Sequence, residues 1–244
     1  MKVLKLIGFI ALLVIIFKRP YAHSPHFTPV NHAKTIPTHV IKALPKETEK
    51  PLHGIDVSHF QGEIDFLEVE KSGVHFVYLK ATEGTRFVDP TYMKHIEAIK
   101  QTQLQHGAYH FFQPSLDAKQ QAEFFVKTIK QQSHLLPPML DVEVSQGMSS
   151  DAIKAGVKVW LDYVQAELKC RPILYSYGDF WRDNLGTEFT QYKFWLAEYS
   201  KTLKKPDSLS NVNLWQYSDK GRIPGIEGKV DMDVMFKREG VCNA

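Results

Sequence analysis

Two carboxylates, Asp141 and Glu143, stand two residues apart in the otherwise apolar run Met139-Leu140-Asp141-Val142-Glu143. On a β-strand, residues i and i+2 point to the same face with Cα atoms roughly 6–7 Å apart, so both side chains could act on one bond. Two acids in unlike environments are what general-acid chemistry on a glycosidic bond requires. The competing reading is a strand end at a rim where both acids are merely solvated, and the motif alone leaves the two open.

Other polar and aromatic residues follow the same logic, each late on or just after a strand-like segment. Asp56 is followed by His59 and Gln61, and Glu83 ends the second such segment. Tyr109, His110 and Gln113 accompany the third, Tyr175 and Tyr177 the fifth, and Glu198 and Tyr199 the sixth. Gln216 and Tyr217 mark the seventh, and Asp231 and Asp233 the eighth. Together they describe an acidic cleft rimmed by aromatics. Aromatic faces suit sugar rings, while amides and carboxylates suit hydroxyl and acetamido groups. Phe111 and Phe112 are expected to fill the barrel instead.

These residues need a scaffold, and the chain from His53 onward supplies alternating strand-like and helix-like segments. Strands are predicted over 54–58, 76–81, 108–112, 138–142, 172–176, 194–197, 213–217 and 230–234. Helices are predicted over 63–71, from the Asp89-Pro90 pair to about Gln105, from the Asp117 cap to about Gln131, and from Ser149 to Leu168. Repeated strand–helix units with right-handed crossovers imply a parallel sheet. About eight strands in one domain imply an α/β fold of the closed TIM-like barrel kind, its last third mainly strand. In such barrels, functional groups gather at the C-terminal ends of the strands.

The 244 residues suffice for one domain of ordinary size with a full core. Residues 1–50 carry eight Lys and Arg against two Glu, whereas residues 51–244 carry 22 against 25 Asp and Glu. The basic balance belongs to the leader, and the folded part offers no electrostatic case for nucleic acid. Lys2 and Lys5 precede an apolar run, Leu6–Phe17, of signal-peptide length. Residues 1–22 are therefore expected to direct export, either cut after Ala22 or kept as a membrane tether through residues 6–17. Residues 23–51 hold five prolines and little apolar periodicity, a linker composition. The catalytic domain is assigned to 52–244. Cys170 and Cys242 form a structural bridge or remain two free thiols.

Five motifs in order carry a family resemblance: Gly54-Ile55-Asp56-Val57-Ser58-His59-Phe60-Gln61-Gly62, Lys80-Ala81-Thr82-Glu83-Gly84, Gly107-Ala108-Tyr109-His110-Phe111, Leu140-Asp141-Val142-Glu143 and Leu214-Trp215-Gln216-Tyr217. They resemble glycoside hydrolase family 25, the Chalaropsis-type and phage-type lysozymes, over roughly residues 51–240. The resemblance implies a modified β/α barrel, five β/α units followed by three strands. It implies cleavage of the β-1,4 bond from N-acetylmuramic acid to N-acetylglucosamine in peptidoglycan. By similarity, Glu143 is the general acid. Asp141 is the nucleophile, or the group that orients the substrate's acetamido for internal attack. Asp56 is a supporting carboxylate that keeps the acid's pKa high. Asp231 matches the Asp of the family's closing Val-Asp-x-Asn motif, but Asp233 replaces its Asn. Tyr109, Gln113, Tyr175, Tyr199 and Gln216 are expected to bind substrate. No metal or other cofactor is required, and a monomer is the expected state.

Two rival classes compete. A metal-dependent hydrolase could use Asp56, His59, His110, Asp141 and Glu143, but the two histidines lack local ligand spacing. A non-catalytic sugar-binding module would most naturally have lost a cleft carboxylate, and all four are present.

Overall fold

The computed structural model describes residues 50–133, 136–238 and 242. The chain divides into two units, Met1–Lys46 and Glu47–Ala244, and every described residue belongs to the second. The expected leader, 1–22, and all but Lys50 and Pro51 of the expected linker lie outside the described residues.

The strands in chain order are β1 (Leu52–Val57), β2 (Phe76–Glu83), β3 (Phe87–Val88), β4 (Gln105–Phe111), β5 (Met139–Asp141), β6 (Ile173–Tyr177), β7 (Lys193–Ala197), β8 (Val212–Gly221) and β9 (Val230–Met235). β1, β2, β4, β5, β6, β7 and β8 pair successively in parallel. β9 runs antiparallel to both β8 and β1 and closes an eight-stranded barrel. β3 is a short arm folded back on the end of β2.

The helices are α1 (Phe66–Lys71), α2 (Tyr92–Ile99), α3 (Ala118–Ile129), α4 (Ser150–Leu168) and the single turn α5 (Gly178–Phe180), which continues as a wider turn over Trp181–Leu185. Local chemistry starts several of them. The Asp65 carboxylate accepts from the N–H groups of Leu67 and Glu68, Asp117 from Gln120, and Ser149 from Ala152. Each satisfies donors that the first helical turn leaves orphaned.

Strand alternation sorts side chains into two cores. Ile55, Val57, Val77, Leu79, Ala108, Leu140, Val142, Leu174 and Leu196 face outward and pack with Phe125, Ile153, Trp160 and Leu161 of α3 and α4. Phe76, Tyr78, Met139, Ile173, Tyr175, Trp195, Leu214 and Met235 face inward and plug the barrel. Two glycines make room for that plug. A Cβ on Gly54 would sit 2.3 Å from the Phe76 ring, and one on Gly107 2.5 Å from the Tyr78 ring.

Several boundaries differ from the expected ones. α2 ends at Ile99 rather than near Gln105, because 105–107 are already in β4, paired with Phe76–Tyr78. It begins at Tyr92 rather than after Asp89. The Asp89 carboxylate binds the backbone and side chain of both Thr91 and His59, bracing the loop instead of capping the helix directly. Regular pairing of β5 ends at Asp141, so Glu143 lies just past the strand. Cys170 and Cys242 are disulfide-bonded, with Cα atoms 5.6 Å apart.

Candidate active site

Barrel closure brings the separate carboxylates to one face. Asp56 is in register with Asp231 across β1–β9, Asp141 with Tyr175 across β5–β6, and Gln216 with Asp233 across β8–β9. Because β9 is antiparallel, its beginning lies at the rim where the parallel strands end, which is how Asp231 reaches the same mouth as Asp56 and Asp141. A cavity of about 300 Å³ opens there. Its lining includes Asp56, Lys80, Tyr109, Asp141, Glu143, Tyr175, Tyr199, Gln216 and Asp231. A second cavity of about 420 Å³ shares Glu143, Tyr175 and Tyr199 with it and adds Tyr177, Asp179 and Glu198. A third, about 490 Å³, is lined by Glu83, Phe87, Gln113 and Leu116.

Asp141 and Glu143 share the inward face, and their carboxyls are in hydrogen-bond contact. Backbone bonds keep the chain extended past the strand: Phe112 N–H donates to Asp141 O at 2.9 Å and Val142 N–H to Tyr175 O at 3.1 Å. Burial pushes Asp141 well above the usual carboxylate range, and the charges of Glu143 and Asp56 add to it. Burial raises Glu143 too, against the opposing effects of the neighbouring Tyr175 hydroxyl, the Asp141 carboxyl and the charge of Lys80. Two acids placed this way disfavour simultaneous ionisation and titrate as a pair.

Gln216 organises the other side. Its Oε1 accepts from the hydroxyls of Tyr175 at 2.9 Å and Tyr199 at 2.8 Å, and its Nε2 donates to Asp56 Oδ2 at 2.7 Å. Burial lifts Asp56 to about 6 despite the bond from Gln216. Asp231 is pushed up to about 8 by burial, with the charges of Asp56, Asp219 and Glu143 reinforcing it. Asp233 is fully buried beneath them and takes a hydrogen bond from the Trp195 indole at 3.2 Å.

A glycosyl hydrolases family 25 model matches residues 55–226. The chain belongs to glycosyl hydrolase family 25. The Escherichia coli K12 protein YegX is 36% identical to this family member over 189 residues, covering 75% of this chain and 69% of YegX. The autolytic lysozyme of Clostridium acetobutylicum is 36% identical over 182 residues, covering 75% of this chain and 55% of that enzyme. The crystal structure of a Streptomyces coelicolor lysozyme superposes with a TM-score of 0.71 at 26% identity, covering 78% of this chain and 93% of that one.

Within this glycosidase, eight of the nine residues expected to act or bind line the central cavity. Gln113 does not. It lines the third cavity instead, donating to Glu83 Oε1 at 2.8 Å and receiving the Gln146 side chain. His110 also leaves the cleft: it alternates with Tyr109 and so faces outward. There it contacts Thr82 at 2.7 Å and stacks on Trp160, and burial pushes it down to about 3, leaving it neutral. Phe111 and Phe112 do not fill the barrel. Phe112 packs outward among the helices, and half-buried Phe111 lines the cavity.

Two contributors escaped the sequence reading. Lys80 is buried on the inward face of β2, bonded to Glu83 Oε2 at 2.6 Å, with Nζ 5.0 Å from the Phe111 ring centroid. A lysine inside a buried strand is itself a signal, since Lys is almost never buried unless paired. Phe60, 81% exposed, stands at the cavity mouth. Only its place in the first motif hinted at it.

Proposed function

We propose that the Asp141–Glu143 pair is the reacting centre of a peptidoglycan-hydrolysing muramidase, cleaving the β-1,4 bond from N-acetylmuramic acid to N-acetylglucosamine. The enzyme is a glycosidase of the lysozyme type. The observation that carries the residue assignment is the pairing of the two carboxyls on the lining of the central cavity, where burial favours a proton on the pair.

In this mechanism the shared proton passes to Glu143, which donates it to the leaving glycosidic oxygen. Asp141, now ionised beneath the sugar, stabilises the oxocarbenium-like centre as nucleophile or by orienting the 2-acetamido group. Water, activated by the Glu143 carboxylate left after proton donation, then attacks the same anomeric carbon from the leaving-group side and releases Asp141 or the acetamido group, so the product keeps its anomeric configuration. Asp56 and Asp231 are supporting carboxylates, and ionised Asp56 makes loss of the Glu143 proton harder. Tyr109, Tyr175, Tyr199 and Gln216 line the sugar-binding floor, and Gln113 contributes from the third cavity.

The barrel consists of five β/α units, closed by α1, α2, α3, α4 and the α5 turn, followed by the strands β7, β8 and β9. Residues 1–22 export the enzyme or tether it through residues 6–17, residues 23–51 act as a linker, and residues 52–244 act on peptidoglycan as a monomer.

Incubation of the enzyme with purified peptidoglycan, borohydride reduction and mass spectrometry tests the activity. Muramitol ends that disappear in Glu143→Gln support it, because the amide is nearly isosteric but carries no transferable proton. Wild-type turnover by Glu143→Gln would remove Glu143 as the acid, and glucosaminitol ends would reverse the bond. Proton NMR of the first-formed anomer reads retention directly.

A further inference from the structure

Asp233 is the most enclosed carboxyl of the site, 0% exposed, where Asp56 and Asp141 keep 8% and 7%. It sits on β9 in register with Gly54 of β1 and Gln216 of β8. Its Oδ1 accepts the Trp195 indole N–H, while its Oδ2 meets no N–H or O–H donor among the described residues. Its carboxyl nevertheless lies within hydrogen-bonding reach of that of Asp56. Two carboxylates are acceptors only, so a bond between them needs a proton.

The surroundings decide which acid keeps it. Asp56 lines the solvent-filled cavity and receives an amide N–H from Gln216, both of which favour its anion. Asp233 lies behind it. The groups facing Asp233 are Asp56 from β1, Asp231 from its own strand, the Trp195 indole from β7, and Gln216 and Tyr217 from β8. Two of these are carboxyls, and Asp56, once ionised, would repel a second anion beside it.

We propose that Asp233 carries a proton in the working enzyme and donates a hydrogen bond through it to Asp56, so that a neutral acid orients an ionised Asp56 beside the Asp141–Glu143 pair. Burial and the neighbouring charges of Asp56 and Asp231 push Asp233 well above the usual carboxylate range, in keeping with this geometry. A protonated carboxyl and a carboxamide are close in shape, and each offers a donor. Asp233 thereby does without added charge what Asn would do at this position of the closing motif. The role is one of positioning and rests on the reading of Asp56 as a supporting carboxylate.

The test compares infrared spectra of the full chain and Asp233→Asn at about pH 7, where Asp56 is mostly ionised and above the ordinary Asp range. The wild type should show a protonated-carboxyl C=O band, shifted in D2O, that the variant lacks; no such difference would overturn the proposal. Asp233→Leu, similar in size but with no donor, should lose at least about tenfold in kcat with KM little changed, and Asn should restore most of it. Asn no better than a folded Leu variant would overturn the positioning role. Because a native-state proton is released on unfolding, the Tm of Asp233→Asn relative to wild type should rise from about pH 4 to about pH 7. A fall over that range would mean that Asp233 is ionised. Wild-type turnover by Asp56→Asn would instead remove the reading of Asp56, and the positioning role with it, while the infrared band still locates the proton.

Discussion

Five carboxyls, Asp56, Asp141, Glu143, Asp231 and Asp233, crowd one small volume, with the Lys80 ammonium near Asp141 and Glu143. They cannot all ionise together, and their competition produces the acid that bond cleavage needs. Burial dominates, and Lys80 works against it, since its charge favours the ionised forms of both Asp141 and Glu143. Lys80→Met keeps the packed stem and removes that charge, so both acids should hold their protons to higher pH. The whole pH–rate profile should then move in the alkaline direction, with reduced activity on its acid side. A profile that stayed in place or moved toward acid would show that the Lys80 field does not govern the pair. Asp141→Asn should cost most of the activity, measured as peptidoglycan turnover, because the carboxylate facing the developing cation is lost.

Strands place these groups, and the aromatic plug fixes the strands. Tyr78 and Trp195 meet edge-on with ring centroids 4.8 Å apart, and Tyr175 and Phe76 pack on the same indole. The floor of the site is therefore also the top of the core: Tyr175 reaches Gln216 and Trp195 reaches Asp233. Gly107 is where this packing leaves no slack. Gly107→Ala would force the Tyr78 ring aside and should cost about 2 kcal/mol of folding stability, read from denaturant unfolding. A loss near zero would mean that the plug can repack.

Over the whole barrel, closure depends on β9, the last strand and the one that runs against its neighbours. The Cys170–Cys242 disulfide ties the chain beyond β9 to the start of β6, at the end of the barrel opposite the cleft. It spans 72 residues of sequence, for which loop-closure entropy predicts about 4 kcal/mol. Reduction should lower Tm strongly while leaving turnover at moderate temperature, and an unchanged Tm would mean that the staple adds nothing. The carboxyl cluster adds a pH signature. Asp56 at about 6 and Asp231 at about 8 hold protons that the unfolded chain releases near pH 4. Native stability should therefore decline as pH rises from about 4 to about 8. Asp231→Asn should flatten that decline, and a stability that rose over this range would show these acids ionised in the folded state.

Much of this was legible in sequence because it is local. Period-two alternation put Asp141 and Glu143 on one face, capping residues marked α3 and α4, and five short motifs together pointed to the family. The central carboxyls could be picked out because acids are rare in apolar strands. Orientation beyond a strand end was less legible. His110 and Gln113 stood in promising places in the chain, yet a single step of alternation turned His110 to the helices, and the turn after β4 carried Gln113 out of the central cavity. Sequence also could not show which acids share a proton, because Asp56 meets Asp233 and Gln216 meets Asp56 only once β9 closes on β1 and β8. Residue types and spacing thus determined the chemistry available to this chain. Tertiary structure decided the protonation states and the hydrogen-bond partners, because both depend on burial and on distances between segments far apart in the chain.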